Sequence, residues 1–233
     1  RLGSSCDWSR ERFTMDDGLS SAVRKVFVSL YKEGLIYKDQ ALVNWDTKFK
    51  TAISDLEVVS KDVSTQIYYI KYPSSNGGSI TVATVRPETI FGDIAIAVNP
   101  IDERYQSYKH TSFTIPLTSR SIPLIFDEYS DTEMGSGAVK ITPAHDFNDF
   151  EVGKRHNLEL LNILNDDGSL NDKCPQEYVG MDRFDARKKI VKELKEKGFI
   201  EKIEDYKTTI PYGDRSNTIV EPYLTNQWFC NAE

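Results

Sequence analysis

Cysteine is scarce in this sequence. Cys6, Cys174 and Cys230 are the three present, an odd number with no C-x-x-C pair. A disulfide framework has no basis in that pattern, so a reducing compartment is expected, with all three as ordinary thiols. Long apolar runs are missing as well: no segment approaches the roughly 18 uninterrupted residues that span a bilayer. No membrane association is therefore expected, and a cytoplasmic location is. Glycine and proline, 13 and 9 in 233 residues, are scattered without a repeat, which excludes collagen-like and low-complexity classes. An excess of positive charge is absent too. The 29 Lys and Arg against 36 Asp and Glu leave a net charge of −7, which argues against a broad cationic nucleic-acid surface. Enough cations remain for a local basic groove that takes a single-stranded end. Arg1-Leu2-Gly3-Ser4-Ser5-Cys6-Asp7 offers no initiator Met, no signal-peptide core and no transit character. The expectation is a stretch cut from the middle of a longer chain.

What is present is ample core material: 39% apolar residues, with 11 Phe, 12 Tyr and 3 Trp. Leu19, Val23, Val26, Phe27, Leu30 and Tyr31 recur at helical spacing, with Asp16 and Asp17 at the start and Gly34 as a stop. A second helix is predicted over about 182–197, where Phe184, Ile190, Val191 and Leu194 share a face and Gly198 closes it. Between them the pattern turns to strands. Ser64–Ile70 and Ser79–Val85 flank Pro73-Ser74-Ser75-Asn76-Gly77-Gly78 and predict a hairpin with a multi-residue loop. Short strands are also predicted at 41–45, 94–98, 111–116, 121–126 and 136–141. Many short strands with few helices favour an antiparallel α+β or barrel-like core over a doubly wound sheet.

Two stretches hold more polar residues than a core needs. One is Thr84-Val85-Arg86-Pro87-Glu88-Thr89, at the end of a strand. The other runs from Gly135 to Asp149, a strand candidate leading through a Pro turn into a helix. In the second, Asp146 suits an N-cap, and Asp149 then falls at the third helical position of a capping-box variant. Capping is the slightly favoured reading of Asp149. The functional alternative is a carboxylate kept ionised by the helix dipole, free to hold a substrate ammonium group. Lys140 and Thr142 lie on one face of a strand and point together either into a cleft or, as the pattern alone favours, into solvent. His145, Asp146, Asp149 and His156 are close in sequence, but they lack H-E-x-x-H and any Cys/His ligand spacing, so no metal is expected. Ser136 sits in Gly-Ser-Gly, outside a G-x-S-x-G elbow, and its glycines fit neither the dinucleotide nor the P-loop template.

Taken together, these stretches resemble the valyl-tRNA synthetase family. The resemblance is carried by Ser5–Asp16, Leu42–Asp46, Thr51–Val58, Ala83–Thr89, Gly135–Asp149, Val152–Leu158, Pro211–Ser216 and Gln227–Phe229, and it covers essentially the whole chain. It implies the editing insertion that splits the class I catalytic domain, an α+β fold with a β-barrel-like core shared with the isoleucine and leucine enzymes, and flanking helices. Three segments are expected: a helical and linker part over 1–54, an editing core over 55–215, and a return segment over 216–233. The implied activity is hydrolysis of threonine wrongly esterified to valine tRNA. The need for it is known from this family itself, because a pocket shaped for valine cannot strongly reject isosteric threonine. A second site can select for the hydroxyl, since valine would leave its hydrogen-bonding groups unpaired.

The roles implied are specific. Asp149 matches the aspartate that holds the aminoacyl ammonium group, while Lys140 and Thr142 match residues near the ester and the threonine side chain. Thr84, Arg86, Glu88 and Thr89 match the peptide that binds the terminal adenosine, and His145 belongs with the substrate-binding set. Water attacks the ester while donors stabilise the oxyanion, with no protein nucleophile. Lys140→Ala is expected to lower the rate with little effect on folding if Lys140 faces the pocket. The editing unit needs no cofactor; ATP and Mg belong to the parent enzyme, which attaches valine to tRNA(Val). His-Ile-Gly-His-like and Lys-Met-Ser-Lys-Ser-like signatures are absent from the sequence. The partner implied is the tRNA(Val) acceptor 3′ end carrying threonine, and a monomer is expected. A tRNA-end binding module without hydrolysis and a metal-dependent hydrolase using His145 and Asp149 are the rival readings. Two departures stand out: Val85 replaces a common threonine, and Ser136 a threonine between glycines. If Thr84 and Arg86 face the pocket along a strand, Val85 packs behind it.

Overall fold

A computed structural model describes Gly3 and Ser5–Ala232. Arg1, Leu2, Ser4 and Glu233, which belong to the first and last expected segments, lie outside the described residues. The elements, in chain order, are α1 (Asp17–Lys32), β1 (Ile36–Asp46), β2 (Thr51–Ile53), β3 (Val58–Pro73), β4 (Ser79–Thr84), β5 (Ala95–Val98), β6 (Ser112–Thr114), β7 (Ser121–Phe126), β8 (Ala138–Ile141), α2 (Phe147–Arg155), α3 (Arg183–Glu196), β9 (Ile200–Gly213) and β10 (Glu221–Cys230). Short 3-10 turns join several of them, the one over Pro87–Gly92 being the most buried. The class is α+β, mostly sheet with few helices. Among the described residues the strands form three separate sheets, ordered β10-β1-β2, β4-β3-β9 and β6-β7-β5-β8, and do not close into one barrel.

The chain divides into two compact units, one made of the residues up to Ala41 with those from Asn226 onward, the other Leu42–Thr225. In the first, α1 has the predicted caps. Asp16 accepts from the Leu19 N–H at 2.8 Å. At the other end Gly34 takes φ 76°, and Leu35 N–H reaches the Leu30 carbonyl at 3.0 Å. That is a Schellman closure, which Gly adopts without a Cβ penalty. The apolar stripe of α1 stays largely exposed, with Phe27 and Tyr31 packed edge-on against Trp228 at 5.2 and 6.1 Å.

The second unit holds the core. Ile70 and Tyr72 of β3, Ile80 and Val82 of β4, Ile96 and Val98 of β5, and Ile190 and Leu194 of α3 bury together. The predicted hairpin is present, paired from Tyr68↔Thr84 to Pro73↔Ser79. β3 is much longer than its predicted strand because β9 pairs along nearly all of it. β5 joins two neighbours, β7 in parallel and β8 antiparallel, with Ile96 opposite Lys140. This register puts Lys140 deep in the unit and α2 just beyond it. Among the described residues, no helix is long and apolar enough to cross a membrane.

Candidate functional site

A cavity of about 770 Å³ opens in the Leu42–Thr225 unit. Seven of the eight sequence-predicted site residues border it: Thr84, Arg86, Thr89, Lys140, Thr142, His145 and Asp149. Glu88 is the exception. It is 1% exposed and is not among the lining residues, gripped by Arg187, whose Nε and Nη2 both donate at 2.7 Å. Burial opposes its ionisation, yet Arg187 and Arg86 hold its carboxyl below the usual range. Val85 also borders the cavity, because β4 ends at Thr84 and strand alternation stops there. The expectation that Val85 packs behind the pocket is therefore corrected.

Lys140 and Thr142 are not on a solvent face. The Lys140 ammonium donates to Asp93 Oδ1 at 2.9 Å, Thr89 Oγ1 at 2.9 Å and Thr142 Oγ1 at 2.5 Å. Thr142 in turn donates to Asp93 Oδ1 at 2.8 Å, and the Tyr72 hydroxyl donates to Asp93 Oδ2 at 2.6 Å. Burial, reinforced by Asp93, pushes the Tyr72 phenol well above its ordinary value, so it serves as a neutral donor. Asp93 is 0% exposed and is the centre of this group. The sequence reading missed it. The available signal was a carboxylate immediately before the apolar run Ile94–Val98, where only a paired charge is tolerated.

Asp146 and Asp149 divide their work differently from the capping-box expectation. Asp146 is the cap, accepting from the N–H groups of Asn148 at 2.8 Å and Asp149 at 3.1 Å. Asp149 does not return to the Asp146 N–H; its Oδ2 accepts from the Thr142 N–H at 2.8 Å. The dipole argument predicted an ionised Asp149. Burial outweighs it, and with the nearby charge of Asp146 raises the carboxyl to about 7. His145 is buried with its Nε2 accepting from the Ile163 N–H at 2.9 Å. Burial, then the cations Arg86 and Lys140, push its pKa well below the ordinary value, so the ring is neutral. His145 and Asp149 do not converge with a third ligand: among the described residues no group of three or more His, Cys, Asp or Glu could hold a metal ion.

Arg86 borders the cavity but uses all three guanidinium nitrogens on the protein. Nη1 donates to the His145 carbonyl at 2.8 Å, Nε faces Glu88 at 3.5 Å, and Nη2 donates to Glu221. Glu221 also accepts from Arg183 Nε at 2.7 Å. Arg183, Arg187 and Glu221 were not legible as site residues, since the links Arg183–Glu221, Arg187–Glu88 and Arg86–Glu221 span 38 or more positions and carry no local motif.

The family described as tRNA synthetases class I (I, L, M and V) matches residues 1–233. Among similar proteins, the valine–tRNA ligase of Pelagibacter ubique (strain HTCC1062) is 59% identical over all of this chain, a match that spans 27% of that ligase. The valine–tRNA ligase of Caulobacter vibrioides is 52% identical over all of this chain and 28% of its own length. The valine–tRNA ligase of Coxiella burnetii is 53% identical, again over the whole chain and 25% of the ligase. The chain thus spans about a quarter of the length of the curated relatives it matches. A solved structure, the ternary complex of Agrobacterium radiobacter K84 agnB2 LeuRS-tRNA-LeuAMS, aligns with 92% of this chain and 34% of its own at 17% identity and a TM-score of 0.47.

Proposed function

The chain belongs to the class I tRNA synthetases of the isoleucine, leucine, methionine and valine group, and from that premise we propose that it is the proofreading unit of a valine–tRNA ligase. It hydrolyses the ester of threonine wrongly attached to tRNA(Val). The observation that carries this reading is the convergence of four separated stretches on one cavity. Thr84, Arg86 and Thr89 come from one side, Lys140 and Thr142 from the end of β8, Asp149 from α2, and Tyr206 and Thr208 from β9.

The electrostatics of that cavity favour a cationic guest. Asp131, Asp146, Asp149, Glu204 and Asp205 border it, against Arg86 and Lys140, whose charges are already engaged. An aminoacyl ester brings an ammonium group, and Asp149, at the buried end, is its counter-ion. Binding the ammonium pulls the Asp149 proton off, because an adjacent opposite charge favours the carboxylate. The hydroxyls of Thr89 and Thr142 keep acceptor capacity for a threonine hydroxyl, which valine lacks. Water attacks the ester carbonyl of the substrate so held, and the leaving group is the ribose hydroxyl. The reaction so written uses no metal and no cofactor. ATP and Mg serve the attachment of valine in the parent ligase, a cytoplasmic enzyme, and the fragment acts as a monomer.

Single-turnover deacylation of Thr-tRNA(Val) and Val-tRNA(Val) by the 233-residue chain tests the proposal. Threonine release much faster than valine release, unchanged by a chelator, is the expected result. Equal rates on both esters overturn the selectivity. Binding of the 3′ end without hydrolysis reduces the chain to a binding module.

A further inference from the structure

Glu221 opens β10 and joins the site from a part of the sequence that carries none of its motifs. Its side chain is 3% exposed and sits between two guanidinium groups, Arg183 on Oε1 and Arg86 on Oε2. Arg86 passes that grip on. Its Nη1 holds the His145 carbonyl, while the His145 N–H donates to the Thr142 carbonyl at 3.0 Å and the His145 ring accepts from Ile163. The next residue, Asp146, caps α2, and Asp149 in the first turn reaches back to the Thr142 N–H. Thr142 to Asp149 is therefore a closed turn of hydrogen bonds, tied to β10 through Arg86.

We infer that Glu221 is a positioning residue for ester hydrolysis: through Arg86 it holds the His145 carbonyl, and so keeps Asp149 in register with Lys140 and Thr142 across the cavity. This rests on the deacylase reading above. A carboxylate is needed because it accepts from both guanidinium groups at once. Glu221→Gln keeps the volume but turns an amide NH₂ toward one of them, and one grip is lost.

The experiment uses the 233-residue chain with Glu221→Gln, Arg86→Lys and the double substitution. Each is read by single-turnover deacylation over a range of Thr-tRNA(Val) concentrations, and by amide hydrogen exchange at Thr142. The maximal rate is expected to fall about fivefold or more in Glu221→Gln, with half-saturation rising by less, since a displaced Asp149 still meets the ammonium but no longer aligns the ester for attack. Exchange at Thr142 should speed up while the β3 and β9 amides keep their rates. Because the two residues act as one unit, the double variant should be no slower than the slower single. A wild-type maximal rate in Glu221→Gln, a loss confined to half-saturation, or losses that multiply in the double variant would overturn the inference. Should Glu221→Gln fail to fold, Arg86→Lys carries the same outcomes alone. Exchange needs no substrate, so the two ideas fail separately. An inactive wild-type chain refutes the deacylase reading, and unchanged Thr142 exchange refutes positioning by Glu221.

Discussion

Two buried charge networks lie side by side in the Leu42–Thr225 unit, and they differ in what they leave over. In the first, Lys140, Asp93, Thr89 and Thr142 bond one another, yet Lys140 and both threonines still border the cavity. In the second, Arg187, Glu88, Arg86, Glu221 and Arg183 alternate in sign, and only Arg86 reaches the cavity wall. Burying charge costs free energy in both, and pairing offsets it. The first network spends that cost on a polar surface for a guest. The second spends it on fixing the turn after β4, the start of α3 and the start of β10 in one arrangement. Buried charge alone therefore does not mark a site; unspent hydrogen-bonding capacity facing a cavity does.

The largest expected effect belongs to the second network. Glu221→Ala takes from Arg183, itself 3% exposed, its close carboxylate and leaves the longer 3.8 Å approach to Asp182. Breaking a buried pair from one side costs about 3–5 kcal/mol, to be read from denaturant unfolding. Wild-type stability would erase the distinction drawn between the networks. Lys140→Ala comes next, at about 3 kcal/mol, because Asp93 loses its cation but keeps the hydroxyl donors Tyr72 and Thr142. This revises the expectation that Lys140→Ala spares folding. Adding Asp93→Asn should recover much of the stability and none of the activity, a coupling that a double-mutant cycle measures.

How far the sequence disclosed this arrangement follows from the range of each signal. α1 and α3 were legible because a 3.6-residue apolar period and a terminal Gly act within a few residues. Asp146 was legible as a cap for the same reason. β9 and β10 were not. β9 alternates poorly, carries many charges and contains Pro211, which an interior strand would reject; it survives because β9 lies at the edge of the β4-β3-β9 sheet. Seven of the eight proposed site residues do meet at one cavity, yet their surroundings depended on Asp93, Glu221 and Arg183. Those three act across strands and turns, where no local pattern points to the partner.

The next effect sharpens the first network alone. Asp149→Asn preserves an acceptor for the Thr142 N–H, so its melting temperature should stay near wild type at pH below the Asp149 titration. The ion pair to the ammonium is lost, and a charged hydrogen bond contributes roughly 1.5–3 kcal/mol, so deacylation should fall about tenfold or more. Wild-type rates in this variant would end the role of Asp149 as ammonium anchor.

The smallest effect separates the two carboxylates of α2 from each other. Asp146 caps the helix, and its charge is also one reason the Asp149 carboxyl is raised to about 7. Asn caps nearly as well as Asp, so Asp146→Asn should lower stability by only a few tenths of a kcal/mol. With one neighbouring negative charge removed, Asp149 gives up its proton more readily. In wild type, kcat/KM should rise as pH passes through about 7, because the free protein must ionise Asp149. In Asp146→Asn that rise should move to lower pH, leaving the plateau above it nearly unchanged. Stability should move in the matching sense. A carboxyl raised in the folded state binds its proton more tightly there than when unfolded. Its contribution is thus present in acid and lost as pH climbs through the folded value. The loss should finish at lower pH in Asp146→Asn and be absent from Asp149→Asn. A pH–rate profile and melting curves across the same pH range measure both. A midpoint that stays put in Asp146→Asn would mean that burial alone sets the Asp149 proton, and that its neighbour is a cap and nothing more.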